Sequence, residues 1–150
     1  MPVQTLLVLA LTMTVADAPK DEAKKDLEKL QGRWTMASAV HDGENLPAEV
    51  VSKLKFEIKG DQFTVKGDEE TVKAYAKITL KLDVSAKPHL IDFVIGAGDE
   101  KGTVVEGIYE WQADDEFKVC VAIQSKERPT EFKSAENSHA VLIVFKRQAD

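Results

Sequence analysis

Short runs of alternating apolar and polar residues, each ended by a turn, make up most of this chain from residue 55 onward. The tripeptide Lys-Gly-Asp occurs at 59–61 and again at 66–68, on either side of one such run. Glycine-aspartate pairs between alternating runs are typical of β-hairpin turns. Parallel strands need crossover connections of about a dozen residues or more, and these connections are too short for that. The pattern therefore predicts an antiparallel sheet.

The longest alternating run extends from Thr71 to Leu82, with apolar side chains on one face and lysines on the other. It predicts a long strand with one face in solvent. A first strand is predicted at 33–40, before this run. The remaining runs are at 89–95, 103–112, 117–123 and 140–147.

Together these segments predict an all-β fold of about eight antiparallel strands. A short helix is expected at Asp21–Leu30, and a second of one or two turns at Pro47–Leu54, after the first strand. A barrel is the most economical arrangement because closure removes the exposed strand edges. A two-sheet sandwich is the alternative.

The first 16 residues contain no charged side chain and include an apolar segment at 6–11. Small residues follow with the spacing that signal peptidase prefers, at 14–16 and 16–18. We predict a signal peptide that ends at residue 16 or 18 and a single domain over 17–150, secreted or periplasmic. A buried N-terminal helix is the alternative.

The charge balance is acidic, with 20 Lys and Arg against 26 Asp and Glu. A nucleic-acid binder needs clustered basic residues, so this class of partner is not expected. No apolar run reaches the roughly 20 residues of a membrane-spanning helix. The single cysteine, Cys120, cannot form an intrachain disulfide and is predicted to be a core residue. We expect a monomer, and the sequence indicates no protein partner.

Motifs that carry catalysis are not found: the sequence has no HExxH, GxSxG, CxxC or phosphate-binding glycine loop. We therefore predict no enzyme activity, no cofactor and no metal. The histidines, His41, His89 and His139, lie near predicted strand ends and are interpreted as surface residues. Two of them clustered with a carboxylate would favour an enzyme instead.

Large apolar side chains occur repeatedly on the strand faces assigned to the interior. An eight-stranded barrel is just wide enough to be filled by side chains or to hold one small ligand. We predict a cavity for a small apolar ligand, open at the end opposite Trp34. Its predicted lining is Met36, Phe63, Ile78, Leu80, Tyr109 and Trp111. A barrel filled by these side chains is the alternative.

Gly32-Arg33-Trp34, at the entrance to the first strand, resembles the Gly-x-Trp motif of lipocalins. Further segments occur in the order seen in a secreted lipocalin-like domain family abundant in planctomycete bacteria. These are 30–34, 42–47, 107–110, 127–132 and the final strand with Lys146-Arg147. The resemblance implies a lipocalin-like barrel, export, and Gly32, Trp34 and Arg147 as its closed end. It supplies no catalytic residue.

Arg128, Pro129 and Phe132 belong to the most specific of these segments and are interpreted as a clasp on the barrel. Arg128 has Glu127 and Glu131 as possible partners in the sequence, and Phe132 is expected to pin the segment. The sequence thus predicts an extracytoplasmic carrier of a small hydrophobic molecule. A structural or interaction module of the cell envelope, with a filled barrel and no catalysis, is the second hypothesis.

Overall fold

A computed structural model of the protein describes residues 18–67, 69–74, 77–123 and 127–148. The proposed signal segment, residues 1–16, lies outside the described residues. Nine strands and three helices form within these ranges. They are α1 (Ala18–Leu30), β1 (Gly32–His41), β2 (Glu44–Asn45), α2 (Ala48–Lys53), β3 (Lys55–Lys59), β4 (Gln62–Lys66), α3 (Glu69–Ala74), β5 (Ile78–Asp83), β6 (His89–Ile95), β7 (Val104–Ala113), β8 (Glu116–Ala122) and β9 (Ala140–Arg147).

Eight of the strands close into an antiparallel barrel, which confirms the predicted fold. Strand β1 pairs with β3 through its first residues and with β9 along most of its length. Strands β3 to β9 pair in sequence order, and the two-residue β2 extends the far end of β1. A register shift between Met36 and Ser38 lets the long first strand bend from one neighbour to the other. Closure removes the edges that a sandwich would have left open.

The two ends of the barrel differ in their coverings. At the end we call the closed end, α1 lies beside the turn at 60–61, the loop at 84–88 and the turn at 114–115. The opposite end, which we call the open end, carries α2, α3 and the loops 96–103 and 127–139. In the described part of the chain, no helix is long and apolar enough to cross a membrane.

Trp34 organises the closed end. Its indole is fully buried, and its Nε1 donates a hydrogen bond to the Leu30 carbonyl at 2.7 Å. The guanidinium of Arg147 lies 4.3 Å above the ring and donates to the carbonyls of Gln31 and Lys29, both at 2.7 Å. Gly32 is required here because its φ is +118° and a Cβ would lie 3.0 Å from Arg147. One arginine therefore joins the last strand to the end of α1.

The strand predicted over Thr71–Leu82 is wrong in its first half. Residues 69–74 form helix α3, and β5 begins only at Ile78. Acidic residues in the first turn and Lys73 in the last turn complement the helix dipole, which an alternating pattern does not reveal. Ala76, one of the apolar residues of this alternating run, lies outside the described residues.

Candidate functional site

The barrel contains a cavity of about 720 Å³ at its open end. Ligand pockets for small organic molecules occupy roughly 300–1,000 Å³, so the volume suits one such molecule. Three residues of its lining, Asp99, Glu100 and Thr103, are polar. The rest are apolar: Met36, Leu54, Phe56, Phe63, Val65, Ile78, Phe93, Ile95, Val104, Val105, Val119, Val121, Ala122, Ile123, Val141, Ile143 and Phe145.

The cavity exists because inward side chains shrink from the closed end to the open end. On β7, β8 and β9 the row nearest the closed end is Trp111, Phe117 and Phe145. The next row toward the open end, two residues further along each strand, is Tyr109, Val119 and Ile143. The row after that is Gly107, Val121 and Val141. Aromatic rings fill the first row, whereas the last row leaves the centre of the barrel unfilled.

Aromatic rings form one wall and the base of this cavity. Phe56 meets Phe145 edge-on at 5.0 Å and Phe63 in a tilted arrangement at 5.4 Å. Phe63 in turn meets Phe93 edge-on at 5.4 Å. Such edge-to-face contacts fix ring orientation, so the base is a defined surface.

The mouth is shaped by the loop 96–103. Its ends are joined by backbone hydrogen bonds, from the amide of Ile95 to the Thr103 carbonyl at 2.9 Å and from the amide of Gly102 to the Ile95 carbonyl at 2.7 Å. Gly98 and Gly102 have φ of +80° and +95°, which side chains rarely allow. The loop is thus held in one shape by its own backbone, with Asp99 and Glu100 against the cavity.

Half of the lining predicted from sequence lies in the cavity wall, namely Met36, Phe63 and Ile78. The other three predicted residues, Leu80, Tyr109 and Trp111, are not part of the cavity lining. Tyr109 and Trp111 contact α1 at the closed end, and Leu80 belongs to the same core cluster as Leu30. Alternation identifies the inward face of a strand, but it does not show which inward side chains border the cavity, because that also depends on strand register and tilt.

Tyr109 belongs instead to a polar cluster beneath α1. Its hydroxyl donates to Oδ2 of Asp26 at 2.6 Å, and Nδ1 of His89 lies 3.5 Å from the same oxygen. Burial raises the pKa of Tyr109 far above its usual value, and the hydrogen bond and charge of Asp26 raise it further. The neutral phenol therefore ties α1 to the barrel. The sequence analysis did not identify Asp26 as a partner of Tyr109, because the two residues are 83 positions apart in the chain.

Trp111 also contacts α1. Nζ of Lys29 lies 4.1 Å from the centre of its ring and 3.5 Å from a carboxylate oxygen of Asp114. Both tryptophans thus belong to the covered end of the barrel, and the cavity is at the other.

The predicted clasp residues lie on the outside of the barrel. Arg128 is 2.8 Å from Asp92 and 3.9 Å from Glu106, and it donates to the Gly107 carbonyl at 2.8 Å. Asp92 and Glu106 are directly opposed on β6 and β7, so the guanidinium offsets their repulsion. These strand residues were not among the partners considered from the sequence.

A second apolar cluster lies under the same segment. Phe132 packs against Ile108, Cys120 and Ala140 on the outer face of the sheet, and Pro129 is half-buried nearby in the chain. Cys120 is fully buried, and burial raises the pKa of its thiol. The thiol is therefore packed and protonated at neutral pH.

Two histidines do approach one carboxylate. Oδ2 of Asp42 is 3.7 Å from Nε2 of His41 and 3.9 Å from Nδ1 of His139, whereas His89 lies at the closed end. The three side chains are substantially exposed and do not line the cavity. Among the described residues, no group of His, Cys, Asp or Glu has the geometry to hold a metal ion.

This cluster instead fixes two turns together. The amide of His139 donates to Oδ1 of Asp42 at 2.7 Å, and a Cβ on Gly43 would lie 3.1 Å from the backbone of Glu136. Asp42 and His139 both have positive φ, and this hydrogen bond supports that conformation. The contacts of these residues are therefore accounted for by the joining of the two turns.

Comparison with known proteins gives no match to a family model, to a curated protein or to a solved structure. The lipocalin-like family of the sequence resemblance therefore stays a prediction. The interpretation of the site depends on the barrel and its cavity alone.

Proposed function

We propose that this protein binds a small, mainly apolar molecule inside the open half of its barrel. The observation that carries the proposal is the cavity of about 720 Å³, in which 17 of the 20 lining residues are apolar. Apolar side chains that face an open cavity remain accessible to solvent, and burial of apolar surface is favourable. A ligand that fills the cavity removes this surface from water.

The surface around the mouth supports the same proposal. The exposed large apolar residues of the described chain are Val50 on α2, Val72 on α3 and Val104 at the start of β7, and all three lie at the open end. Val104 also lines the cavity. An apolar molecule that enters at this end would therefore meet apolar surface before it reaches the interior.

A neutral fluorescent probe tests the proposal. N-phenyl-1-naphthylamine should gain fluorescence with saturable, one-to-one binding to the wild-type protein. Val141→Trp fills the cavity from β9 and should weaken binding at least about tenfold. Val144→Trp is the matched control, because Val144 is on the same strand but not in the lining, and it should bind like wild type.

Failure of the test has a specific meaning. If wild-type protein binds no probe, or if Val141→Trp and Val144→Trp bind it equally, the cavity is not a binding site. The envelope module then becomes the better interpretation. Ile143→Phe provides a smaller filling substitution should Val141→Trp fail to fold.

We also propose that the protein works outside the cytoplasm. The uncharged apolar start and the small residues at 14–18 support export, and so does the resemblance to a secreted lipocalin-like family. N-terminal sequencing of the natural protein should begin near Asp17 or Pro19. An intact start at Met1 or Pro2 in cytosolic fractions would contradict this proposal.

A further inference from the structure

The charged groups at the mouth are both acidic. Asp99 and Glu100 are the two charged residues of the cavity lining, and Thr103 beside them offers a hydroxyl. In the part of the chain that the structure describes, no ion pair or side-chain hydrogen bond engages either carboxylate. Two acceptors are therefore held next to an apolar cavity without a donor of their own.

Basic residues near the loop do not offer an equivalent site for an anion. Lys101 belongs to the loop, and the backbone carbonyls of Lys73 and Lys77 lie next to Gly98 and Gly96. These lysines are exposed, as are Asp99 and Glu100, but only the two acidic residues line the cavity. An anionic head group at the mouth would meet two carboxylates, and deeper in the cavity it would find no charged partner. Burying a charge without a partner is costly.

From this we infer that the ligand is a cationic amphiphile, whose ammonium group binds Asp99 and Glu100 while its apolar body fills the cavity. The inference rests on the proposed binding function and adds the chemical class of the ligand. An ammonium group donates up to three hydrogen bonds and accepts none, which matches two carboxylates and a hydroxyl. The backbone bonds of the loop keep these acceptors in place before the ligand arrives.

Competition between three matched ten-carbon compounds tests the inference. Decylamine, decanol and decanoate, kept below their micelle concentrations, each compete with N-phenyl-1-naphthylamine at low ionic strength. Decylamine should displace the probe at a concentration about tenfold lower than decanoate, with decanol between them, as expected for two solvent-exposed ion pairs. Added salt should reduce this preference, because it screens exposed charges.

Asp99→Asn/Glu100→Gln should bring the amine and the acid to within about twofold of each other, when each competition is referred to the probe affinity of that same variant. Glu44→Gln/Glu49→Gln is the matched control, since both residues are exposed at the open end, outside the lining, and carry the same charge change. This control should keep the wild-type preference.

The outcomes separate the two proposals. If the probe binds but decanoate competes as well as decylamine, the inference is wrong and the binding function stands. An amine preference that survives Asp99→Asn/Glu100→Gln also overturns the inference, because other groups then recognise the head. If wild-type protein binds neither the probe nor any of the compounds, the proposed function itself fails.

Discussion

Closed and open ends of this barrel are formed by the same strands with different side chains. At the closed end, the ring of Trp34 lies 4.7 Å from Phe117 and 6.2 Å from Trp111, under the guanidinium of Arg147. At the open end, the corresponding strands present Val121 and Val141 to the cavity. The strand number sets the width of the barrel, but the size of the inward residues decides which part of it is hollow.

Polar groups follow the same division. Beneath α1, the hydroxyl of Tyr109 is paired with Asp26, and Arg147 is bonded to two carbonyls of the helix end. At the mouth, Asp99 and Glu100 have no such partners within the described chain. The polar groups of the closed end therefore bind one another and stabilise the fold, whereas the two carboxylates of the open end lie beside the cavity.

Trp34→Ala should produce the largest loss of stability. Removal of a fully buried indole takes away its packing and the hydrogen bond to Leu30, and large aromatic truncations cost about 3–5 kcal/mol. Urea unfolding followed by circular dichroism measures the change. A loss below about 1 kcal/mol would show that the closed end is not the stable half.

Arg147→Ala should follow, with a loss of about 2–3 kcal/mol. The substitution leaves the carbonyls of Gln31 and Lys29 without their charged donor and uncovers Trp34. Arg33→Ala is the control, because the Arg33 side chain is 65% exposed and its contact with Glu57 is 3.9 Å. Equal losses in the two variants would argue against Arg147 as the link between β9 and α1.

Tyr109→Phe should cost about 1–2 kcal/mol, since Asp26 loses its donor. The raised pKa also fixes the direction of the pH dependence. The native state keeps the phenol protonated, while the unfolded chain loses this proton above its ordinary pKa of about 10, so stability falls as the pH rises beyond that value. The variant should lose less stability in that range than wild type.

Tyrosinate absorbance checks this directly in Tyr75→Phe, which leaves Tyr109 as the sole tyrosine. We expect ionisation only when the protein unfolds. Reversible ionisation near pH 10 with the fold intact would show that the phenol is accessible to solvent.

Ile143→Val should have the smallest effect, about 0.5 kcal/mol, at the lower end for this substitution. The methyl group that is removed faces a cavity, so fewer packing contacts are lost than in a filled core. Thermal unfolding measures the loss. A cost well above about 1.5 kcal/mol would indicate that the open half is packed as tightly as the closed half.

The barrel was predictable because alternation and short turns leave few other folds for these strands. The resemblance at Gly32-Arg33-Trp34 predicted that Arg147, at the end of the last strand, lies beside Trp34. The cavity wall was predictable only in part, because alternation shows which side chains face inward but not which of them border the cavity. Met36 lines the cavity, whereas the inward Tyr109 packs against α1. The pairing register shifts between Met36 and Ser38 and between Trp111 and Ala113, and no sequence pattern predicted these shifts.

Two other contacts between residues distant in sequence were not predicted. The bond between Asp26 and Tyr109 and the pairing of Arg128 with Asp92 form only after the barrel closes. The acidic pair at 99–100 looked like ordinary loop residues in the sequence. Its position at a cavity mouth follows from the pairing of β6 with β7.

Nuclear magnetic resonance can compare the two ends in one titration with decanol. Met36 lines the cavity, and the other methionines, Met1 and Met13, lie outside the described residues, so the labelled Met36 methyl reports on the open end. The indole protons of Trp34 and Trp111 report on the closed end. We predict a saturable change in the chemical shift of the Met36 methyl group and no change for the Trp34 indole proton. An unchanged Met36 signal, or equal changes at both ends, would contradict a ligand site in the open half of the barrel.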